Sequence, residues 1–211
     1  MIVVKGISVG RLFSNSYLVF DSELKEGVLI DAGDEAEKIA WLVDHFDIEV
    51  KGIYLTHGHF DHALAIRDLK EELGCGFYVH KADEGVLASV PSDAEFFLGI
   101  KVPALPEPEG WISDGQTIRV GKYYMKVIHT PGHTPGSVCF LLDRYVFTGD
   151  TLFAGSIGRT DLHGGSLELL LSSIKTRLLT LPEDFVVYPG HGPSTTIGAE
   201  KRMNPFLRDF I

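Results

Sequence analysis

Short apolar runs bounded by turn-forming residues recur along the whole chain. Runs of this length between Gly, Ser, Asn, Asp or Pro are typical of β-strands, because apolar and β-branched side chains fit a buried pleated surface. The runs predict strands at residues 2–4, 17–20, 28–30, 50–55, 77–80, 117–120, 124–128, 138–142, 145–148 and 185–188. They form two sets, one in each half of the chain.

Apolar residues with helical spacing lie between these strands. They predict helices at residues 34–46, 63–73, 166–179 and 195–202, the first with Asp34 as its N-cap. Residues 88–115 contain four prolines and few periodic apolar positions, so we expect a long loop that covers either a substrate or a neighbouring subunit. Two sets of strands with flanking helices predict an α/β (α+β) fold, a four-layer αββα sandwich that forms one domain over residues 1–211.

The composition describes an acidic chain with enough apolar residues for a core. Hydrophobic residues make up 45% of the 211 residues, and 19 Lys and Arg against 29 Asp and Glu give a formal net charge of −10. This charge disfavours nucleic acid as a partner. No apolar run is long enough to cross a bilayer and no leader-like segment begins the chain, so we expect a soluble cytoplasmic protein without a membrane partner. Cys75 and Cys139 predict no disulfide framework, and Cys139 is expected to be buried.

The densest group of reactive side chains follows the apolar run at residues 53–55. Three histidines and one aspartate lie between His57 and His62, in the order Thr-His-Gly-His-Phe-Asp-His. Imidazole and carboxylate groups are ligands that zinc, iron and manganese accept. His57 and His59 alternate along the chain and can point at one ion, which leaves Asp61 and His62 for a second.

Three further ligand candidates follow later strands. His133, Asp150 and His191 each come after an apolar run and directly after a glycine. Glycine allows a sharp turn at a strand end, so it can bring a ligand to a shared point. His80 and His129 also lie at strand ends, but their settings favour structural or supporting roles over metal binding.

The order of these motifs resembles that of the metallo-β-lactamase fold hydrolases. It runs from Leu29-Ile30-Asp31-Ala32-Gly33, through His-x-His-x-Asp-His, to Gly190-His191-Gly192-Pro193, and so covers nearly the whole chain. A lone His-x-His is a weak signal, whereas the complete series in this order is highly specific. The resemblance implies a two-metal site at one end of a β-sandwich.

The resemblance also implies how the ligands are shared and what they do. The expected ligands are His57, His59 and His133 for one ion, Asp61, His62 and His191 for the other, and Asp150 as a bridge. The expected cofactors are two divalent metal ions, zinc first, with iron or manganese as alternatives. A metal-bridging hydroxide is expected to attack a carbonyl carbon, with Asp61 and Asp150 as catalytic residues. Asp31 is expected either to orient the ligand loop, as its family counterpart does, or to be a plain turn residue.

Residues 149–161 resemble the corresponding segment of glyoxalase II thioesterases, especially short bacterial members. The implied substrate is a small thioester of glutathione, such as S-lactoylglutathione. Arg159 is expected to bind a glutathione carboxylate through its guanidinium group, unless it pairs with Asp161 within the loop. His163 is expected either to line the cleft beside Arg159 or to face solvent. The longer glyoxalases carry Lys and Tyr at this turn and a helical domain after the last histidine, for which this chain has too few residues.

Other reactions remain open for the same ligand set. Persulfide dioxygenases share the Gly-Arg-Thr-Asp turn and use one iron, which His57, His133 and Asp150 would hold here. A lactone hydrolase with the same metal-hydroxide mechanism and a metal-binding relative without catalysis are further alternatives. A β-lactamase is disfavoured because those enzymes lack the bridging aspartate. No pattern in the sequence specifies an oligomeric state.

Overall fold

Two six-stranded sheets form the centre of the fold. The computed structural model describes residues 1–210, with side chains through Arg208, so the expected domain end at Ile211 lies outside the described residues. The first sheet contains, in spatial order, β1 Ile2–Val9, β2 Ser14–Asp21, β3 Glu26–Ile30, β4 Glu49–Tyr54, β5 Phe77–His80 and β6 Gly110–Ile112. Strands β1 to β3 are antiparallel, and β3 to β6 are parallel.

The second sheet is built mainly from the second half of the chain. Its strands are β7 Thr117–Val120, β8 Tyr123–His129, β9 Val138–Leu142, β10 Tyr145–Gly149, β13 Val186–Pro189 and β14 Thr195–Thr196, in the spatial order β14-β13-β10-β9-β8-β7. Among these six strands, only β10 and β13 are parallel neighbours. A separate hairpin follows β10 and consists of β11 Leu152–Phe153 and β12 Ser156–Ile157.

Helices cover the outer face of each sheet. They are α1 Ala36–Phe46, α2 Ile66–Leu73 and α3 Glu84–Leu98 on the first sheet, and α4 Leu167–Ser173 and α5 Ile197–Met203 on the second. A π-helical stretch, Ile174–Leu178, extends α4, and short 3-10 helices lie at Phe60–His62, Lys81–Asp83 and Pro205–Phe210. Among the residues that the structure describes, no helix is long and apolar enough to cross a membrane.

Alternation along the strands divides the core into three apolar layers. Leu18 packs with Ile39 of α1 on the outer face of the first sheet, whereas its neighbour Val19 lies between the sheets with Phe140. Cys139, one residue before Phe140, is buried against the helices of the second sheet, as expected. Successive side chains on a strand point to opposite faces, so each central strand joins two layers. The result is the expected four-layer αββα sandwich.

The expectation of a long loop over residues 88–115 is wrong for its first part. Residues up to Leu98 belong to α3, and Pro91 lies inside that helix. Leu87, Val90 and Ala94 are buried with helical spacing, so packing against the first sheet offsets the roughly 3 kcal/mol that an interior proline costs. Residues 99–109 lack regular structure, and β6 follows them.

The expected N-cap at Asp34 is also wrong. Helix α1 begins at Ala36, so the capping residue is Glu35 and not Asp34. Glu35 has φ 50°, and its side chain makes no capping hydrogen bond. Asp34 instead accepts the backbone N–H of Glu35 at 2.7 Å.

Candidate metal centre

Loops at the ends of four strands carry the predicted ligands. They are His57, His59, Asp61 and His62 after β4, His133 after β8, Asp150 after β10 and His191 after β13. Backbone hydrogen bonds join these loops across the two sheets. Val138 N–H donates to Thr56 O at 2.8 Å, and Asn15 N–H donates to Gly190 O at 2.7 Å. The sandwich therefore brings residues from distant parts of the chain to one edge.

The first group contains His57, His59 and His133. One ring nitrogen of each lies within 4.8 Å of the others, and His59 Nδ1 lies 2.9 Å from His133 Nε2. The ring of His57 is buried, and its Nε2 has no hydrogen-bond partner among the residues that the structure describes. Because a buried polar atom without a partner costs free energy, this nitrogen is suited to a ligand bond.

The second group contains Asp61, His62 and His191. Asp61 Oδ2 lies 3.2 Å from His191 Nε2 and 3.6 Å from His62 Nε2, and the two histidine nitrogens are 3.4 Å apart. These atoms also fall within 4.8 Å of one another. The three side chains thus offer a second set of ligand atoms beside the first.

Asp150 lies between the two groups. Its Oδ1 is 3.4 Å from His62 Nε2, and its Oδ2 is 3.5 Å from His133 Nε2 and 3.6 Å from His191 Nε2. Oδ1 is buried and, within the described part of the chain, has no hydrogen-bond partner. Two unpaired buried atoms, on Asp150 and His57, and a donor set of imidazoles and carboxylates fit divalent transition metals.

Hydrogen bonds from outside the two groups fix the orientation of the rings. Asp31 Oδ2 lies 2.9 Å from His62 Nδ1, which leaves Nε2 of His62 facing the centre. Asp31 also accepts the backbone N–H of Thr56 at 2.7 Å and its hydroxyl at 2.8 Å. Asp31 therefore both closes β3 and orients the ligand loop. Its φ of 59° is unusual for a residue other than glycine, and the bonds to Thr56 and His62 hold it there.

Two further histidines, His133 and His191, are held in the same way by backbone oxygen atoms. Nδ1 of His133 lies 2.7 Å from the carbonyl oxygen of Arg159, and Nδ1 of His191 lies 3.1 Å from that of Leu12. Contacts of this kind set which ring nitrogen carries the proton, so they direct the opposite nitrogen towards the centre.

Burial and neighbouring charges move the pKa values of the centre in opposite directions. Burial, together with the nearby rings of His62 and His133, lowers the pKa of His57 well below its ordinary value. Burial alone would raise the pKa of Asp150, but the same histidines hold it well below its usual range. Burial alone would lower the pKa of His62, but Asp61 and Asp150 raise it well above the ordinary value. A neutral His57 and an ionised Asp150 are the forms that bind metal.

The two glycines that precede Asp150 and His191 are required because a side chain at either position would collide with neighbouring atoms. A Cβ on Gly190 would collide with Oδ1 of Asp150 and with the ring of His62. Gly149 has φ 46°, and a Cβ there would collide with the side chain of Thr56. The backbone can therefore approach the centre closely only because no side chain is present at these positions.

A cavity of about 540 Å³ opens above the centre. Its walls are largely apolar and come from the β1–β2 turn, the 3-10 helix at Phe60–His62, α3 and the segment after β10: Leu12, Phe60, Val86, Phe97, Phe153, Ile157 and Leu162. Ser89 and Asp93 of α3 also face it. The wall from α3 was missed because residues 88–115 were expected to be a loop, although Val86, Ser89, Asp93 and Phe97 have helical spacing in the sequence.

Arg159 and His163 both line this cavity, but Arg159 already has a partner. Its Nε and Nη2 donate to the carboxylate of Asp161 at 2.8 and 2.7 Å, and its side chain is 55% exposed. Hydrogen bonding from Arg159 lowers the pKa of Asp161 to about 2. The pairing within the loop is therefore formed, while His163 takes the cleft-lining position.

His80 and His129 form a pair outside the metal centre. Their rings stack at 4.3 Å with an angle of 14° between the planes. His129 Nε2 lies 2.9 Å from the carbonyl oxygen of Pro135, and His80 Nδ1 accepts the N–H of Ala82. Both residues support loop structure, in line with the expectation.

The sequence profile described as the metallo-β-lactamase superfamily matches residues 9–191, a range that includes every predicted ligand. The chain belongs to the metallo-β-lactamase superfamily and is, by class, a metal-dependent hydrolase.

Three relatives show the range of proteins that share this fold at high similarity. Hydroxyacylglutathione hydrolase GloC of Haemophilus influenzae is 39% identical over 205 residues, which cover 95% of this chain and 96% of GloC. The crystal structure of BLEG-1 B3 metallo-β-lactamase has a TM-score of 0.91 at 35% identity and covers 98% of this chain and 100% of that one. The structure of TTHA1623 in a di-iron-bound form has a TM-score of 0.87 at 41% identity and covers 97% of this chain and 100% of that one. Family membership alone therefore does not select the substrate.

Proposed function

We propose that this protein is a dinuclear thioesterase of the glyoxalase II type that hydrolyses S-acylglutathione, such as S-lactoylglutathione. The observation that carries the proposal is the presence of two adjacent three-residue ligand groups with Asp150 between them, at the floor of a cavity of about 540 Å³. The similarity to GloC along nearly the whole chain supports the thioester as the substrate class.

The proposed cofactors are two divalent metal ions, with zinc first and iron or manganese as alternatives. His57, His59 and His133 would hold one, Asp61, His62 and His191 the other, and Asp150 would contact both. A site of imidazole and carboxylate ligands accepts any of these metals, and the di-iron form of TTHA1623 supports iron as one of them.

Divalent ions bound in these groups would lower the pKa of a bound water towards about 7 and polarise the scissile carbonyl. Asp61 lines the cavity, and its carboxylate is fixed by a hydrogen bond from Ser14 Oγ at 3.1 Å and by His191 at 3.2 Å. Asp61 can therefore orient the attacking water towards the carbonyl carbon. Asp150 stays ionised between the two groups and keeps their ligand atoms together.

The cavity walls suggest how the substrate lies. Apolar side chains from α3 and the β11–β12 hairpin suit the acyl chain and the methylene groups of the thioester. Arg159 at the rim is the proposed contact for a glutathione carboxylate, because its exposed pair with Asp161 is weak and exchangeable.

The test combines metal content with thioester hydrolysis on one preparation purified without added metal. We expect about two metal ions per chain and turnover of S-lactoylglutathione. His62→Ala should lose one ion and most of the turnover. The matched control is His45→Ala, because His45 lies at the exposed end of α1, where its ring stacks on Trp41 and meets Phe46 edge-on.

Other results would select the alternative reactions. One iron per chain, no thioester turnover and oxygen consumption with glutathione persulfide would replace the proposal with a persulfide dioxygenase. Two ions with turnover of a lactone but not of a thioester would replace it with a lactone hydrolase.

A further inference from the structure

A buried carboxylate that is not a metal ligand joins the two loops of the first ligand group. Asp83 ends a short 3-10 helix after β5, directly before α3, and its side chain has no solvent exposure. Its Oδ2 accepts the N–H of Gly58 at 2.8 Å and the hydroxyl of Thr134 at 2.8 Å, while its Oδ1 accepts the N–H of Gly136 at 2.6 Å. Within the described residues, no lysine or arginine forms an ion pair with Asp83.

Two of the three donors are next to candidate metal ligands along the chain, and the third, Gly136, lies in the same loop as His133. Gly58 separates His57 from His59, and Thr134 directly follows His133. The Asp83 carboxylate therefore fixes the backbone of the loop that carries His57 and His59 and that of the loop that carries His133. The approach is close, because a Cβ on Gly136 would collide with the carboxylate of Asp83.

The second ligand group is held by other residues. Asp31 orients His62, Ser14 binds Asp61, and the carbonyl oxygen of Leu12 binds His191. No contact of Asp83 reaches these side chains in the described part of the structure. Asp31 also reaches the first group through Thr56, whose hydroxyl lies 3.0 Å from His57 Nδ1, whereas the contacts of Asp83 are confined to the loops of the first group.

We propose that Asp83 is a positioning residue that sets the spacing of His57 and His59 relative to His133, and thereby controls the affinity of the first metal ion alone. Ligand geometry depends on such outer hydrogen bonds, whose loss lowers metal affinity by about 10- to 100-fold. The inference rests on the dinuclear centre of the proposed function and not on the identity of the substrate.

The test measures zinc affinity of both equivalents in Asp83→Asn by competition with a chromophoric chelator. An asparagine keeps the shape but replaces one accepting oxygen with an N–H₂ group that faces a backbone N–H. We expect one equivalent to bind about 10- to 100-fold more weakly and the other to stay within about threefold of wild type. Equal weakening of both equivalents, or no weakening of either, would overturn the inference.

Thr134→Val provides a second route if Asp83→Asn does not fold. It removes one of the three hydrogen bonds and keeps the side-chain shape, so we expect a smaller loss confined to the same equivalent. Unchanged affinity of both equivalents in a folded Thr134→Val protein would also overturn the inference.

Asp21→Asn is the matched control. Asp21 is likewise buried and accepts backbone N–H groups, from Glu23 at 3.0 Å and Lys122 at 3.3 Å, but it lies at the far end of β2 from Ser14. We expect Asp21→Asn to lower thermal stability without changing either zinc affinity. A wild-type protein that binds only one zinc ion would contradict the dinuclear centre, whereas a variant at Asp83 that binds both ions like wild type would contradict the role of Asp83.

Discussion

At the residue scale, several of the candidate ligand rings have an oxygen atom behind them. His62 has the carboxylate of Asp31 at 2.9 Å, and His133 has the carbonyl oxygen of Arg159 at 2.7 Å. A hydrogen bond at one ring nitrogen fixes the tautomer and the orientation of the ring, so these contacts decide which ring atoms face the centre. Arg159 thus has two separate contacts: its backbone carbonyl oxygen binds His133, and its guanidinium pairs with Asp161 at the cavity rim.

The guanidinium of Arg159 gives a prediction that separates these two contacts. Arg159→Ala keeps the carbonyl oxygen that binds His133 but removes the proposed contact with a glutathione carboxylate. We expect KM for S-lactoylglutathione to rise about tenfold, the value of one charge-assisted hydrogen bond, with metal content unchanged. Steady-state kinetics measure KM, and metal analysis measures the metal content.

Asp161→Asn is the matched variant for this prediction. It removes the partner that holds Arg159 at 2.8 and 2.7 Å, so it should leave KM unchanged or lower it. If Arg159→Ala left KM unchanged, the guanidinium of Arg159 would pair with Asp161 within the loop but would not contact the substrate.

The seven predicted ligand residues stand in an ordered series that could be recognised in the sequence, whereas most of the residues that contact them could not be foreseen. His57, His133 and His191 follow strand-like runs in an ordered series, and that order is visible in the chain. Asp83 contacts Thr134, 51 residues away, and only the packed sandwich creates that contact. Supports of this kind depend on tertiary structure and leave no local pattern.

At the element scale, α3 links the fold to the cavity. One face of the helix buries Leu87, Val90 and Ala94 against the first sheet, while Val86 and Phe97 line the cavity. The sequence predicts a loop here because Pro91 interrupts the pattern, and the hydrophobic burial that outweighs it is visible only in the packed structure. The segment over the cavity is therefore partly a regular helix, and one face of that helix is held against the first sheet.

Phe97 of α3 gives the prediction at this scale. Its ring stacks on Phe60 at 5.6 Å with an angle of 12°, and both rings line the cavity. Phe97→Ala removes apolar surface from the acyl side of the cavity, so kcat/KM for thioesters with long acyl chains should fall about tenfold, while that for S-lactoylglutathione falls less. A series of S-acylglutathiones of increasing chain length measures the difference.

Phe96→Ala is the control for this prediction. Phe96 is 82% exposed and does not line the cavity, although it neighbours Phe97. We expect kcat/KM to change by less than about twofold for every member of the series. An equal loss in both variants would indicate a general effect on the end of α3 and not a contact with substrate.

At the scale of the whole molecule, the candidate metal centre lies where the two sheets meet at one edge of the sandwich. Its predicted ligands follow β4 of the first sheet and β8, β10 and β13 of the second, so ions bound there would cross-link both halves of the chain. The formal charge of −10 adds a general electrostatic reason for two cations to favour the folded state. Stability should therefore depend strongly on bound metal.

Metal removal gives the corresponding prediction. An ion present at about 100 times its dissociation constant stabilises the folded state by about 2.7 kcal/mol, so two ions contribute about 5 kcal/mol. For a chain of this size, that corresponds to a fall in Tm of roughly 10–20 °C when a chelator removes both ions. Thermal denaturation with and without chelator measures the fall, and His62→Ala should show about half of it because one ligand group is lost. A Tm that is independent of the chelator, in protein shown to contain metal beforehand, would mean that the sheets hold this edge of the sandwich together without the ions.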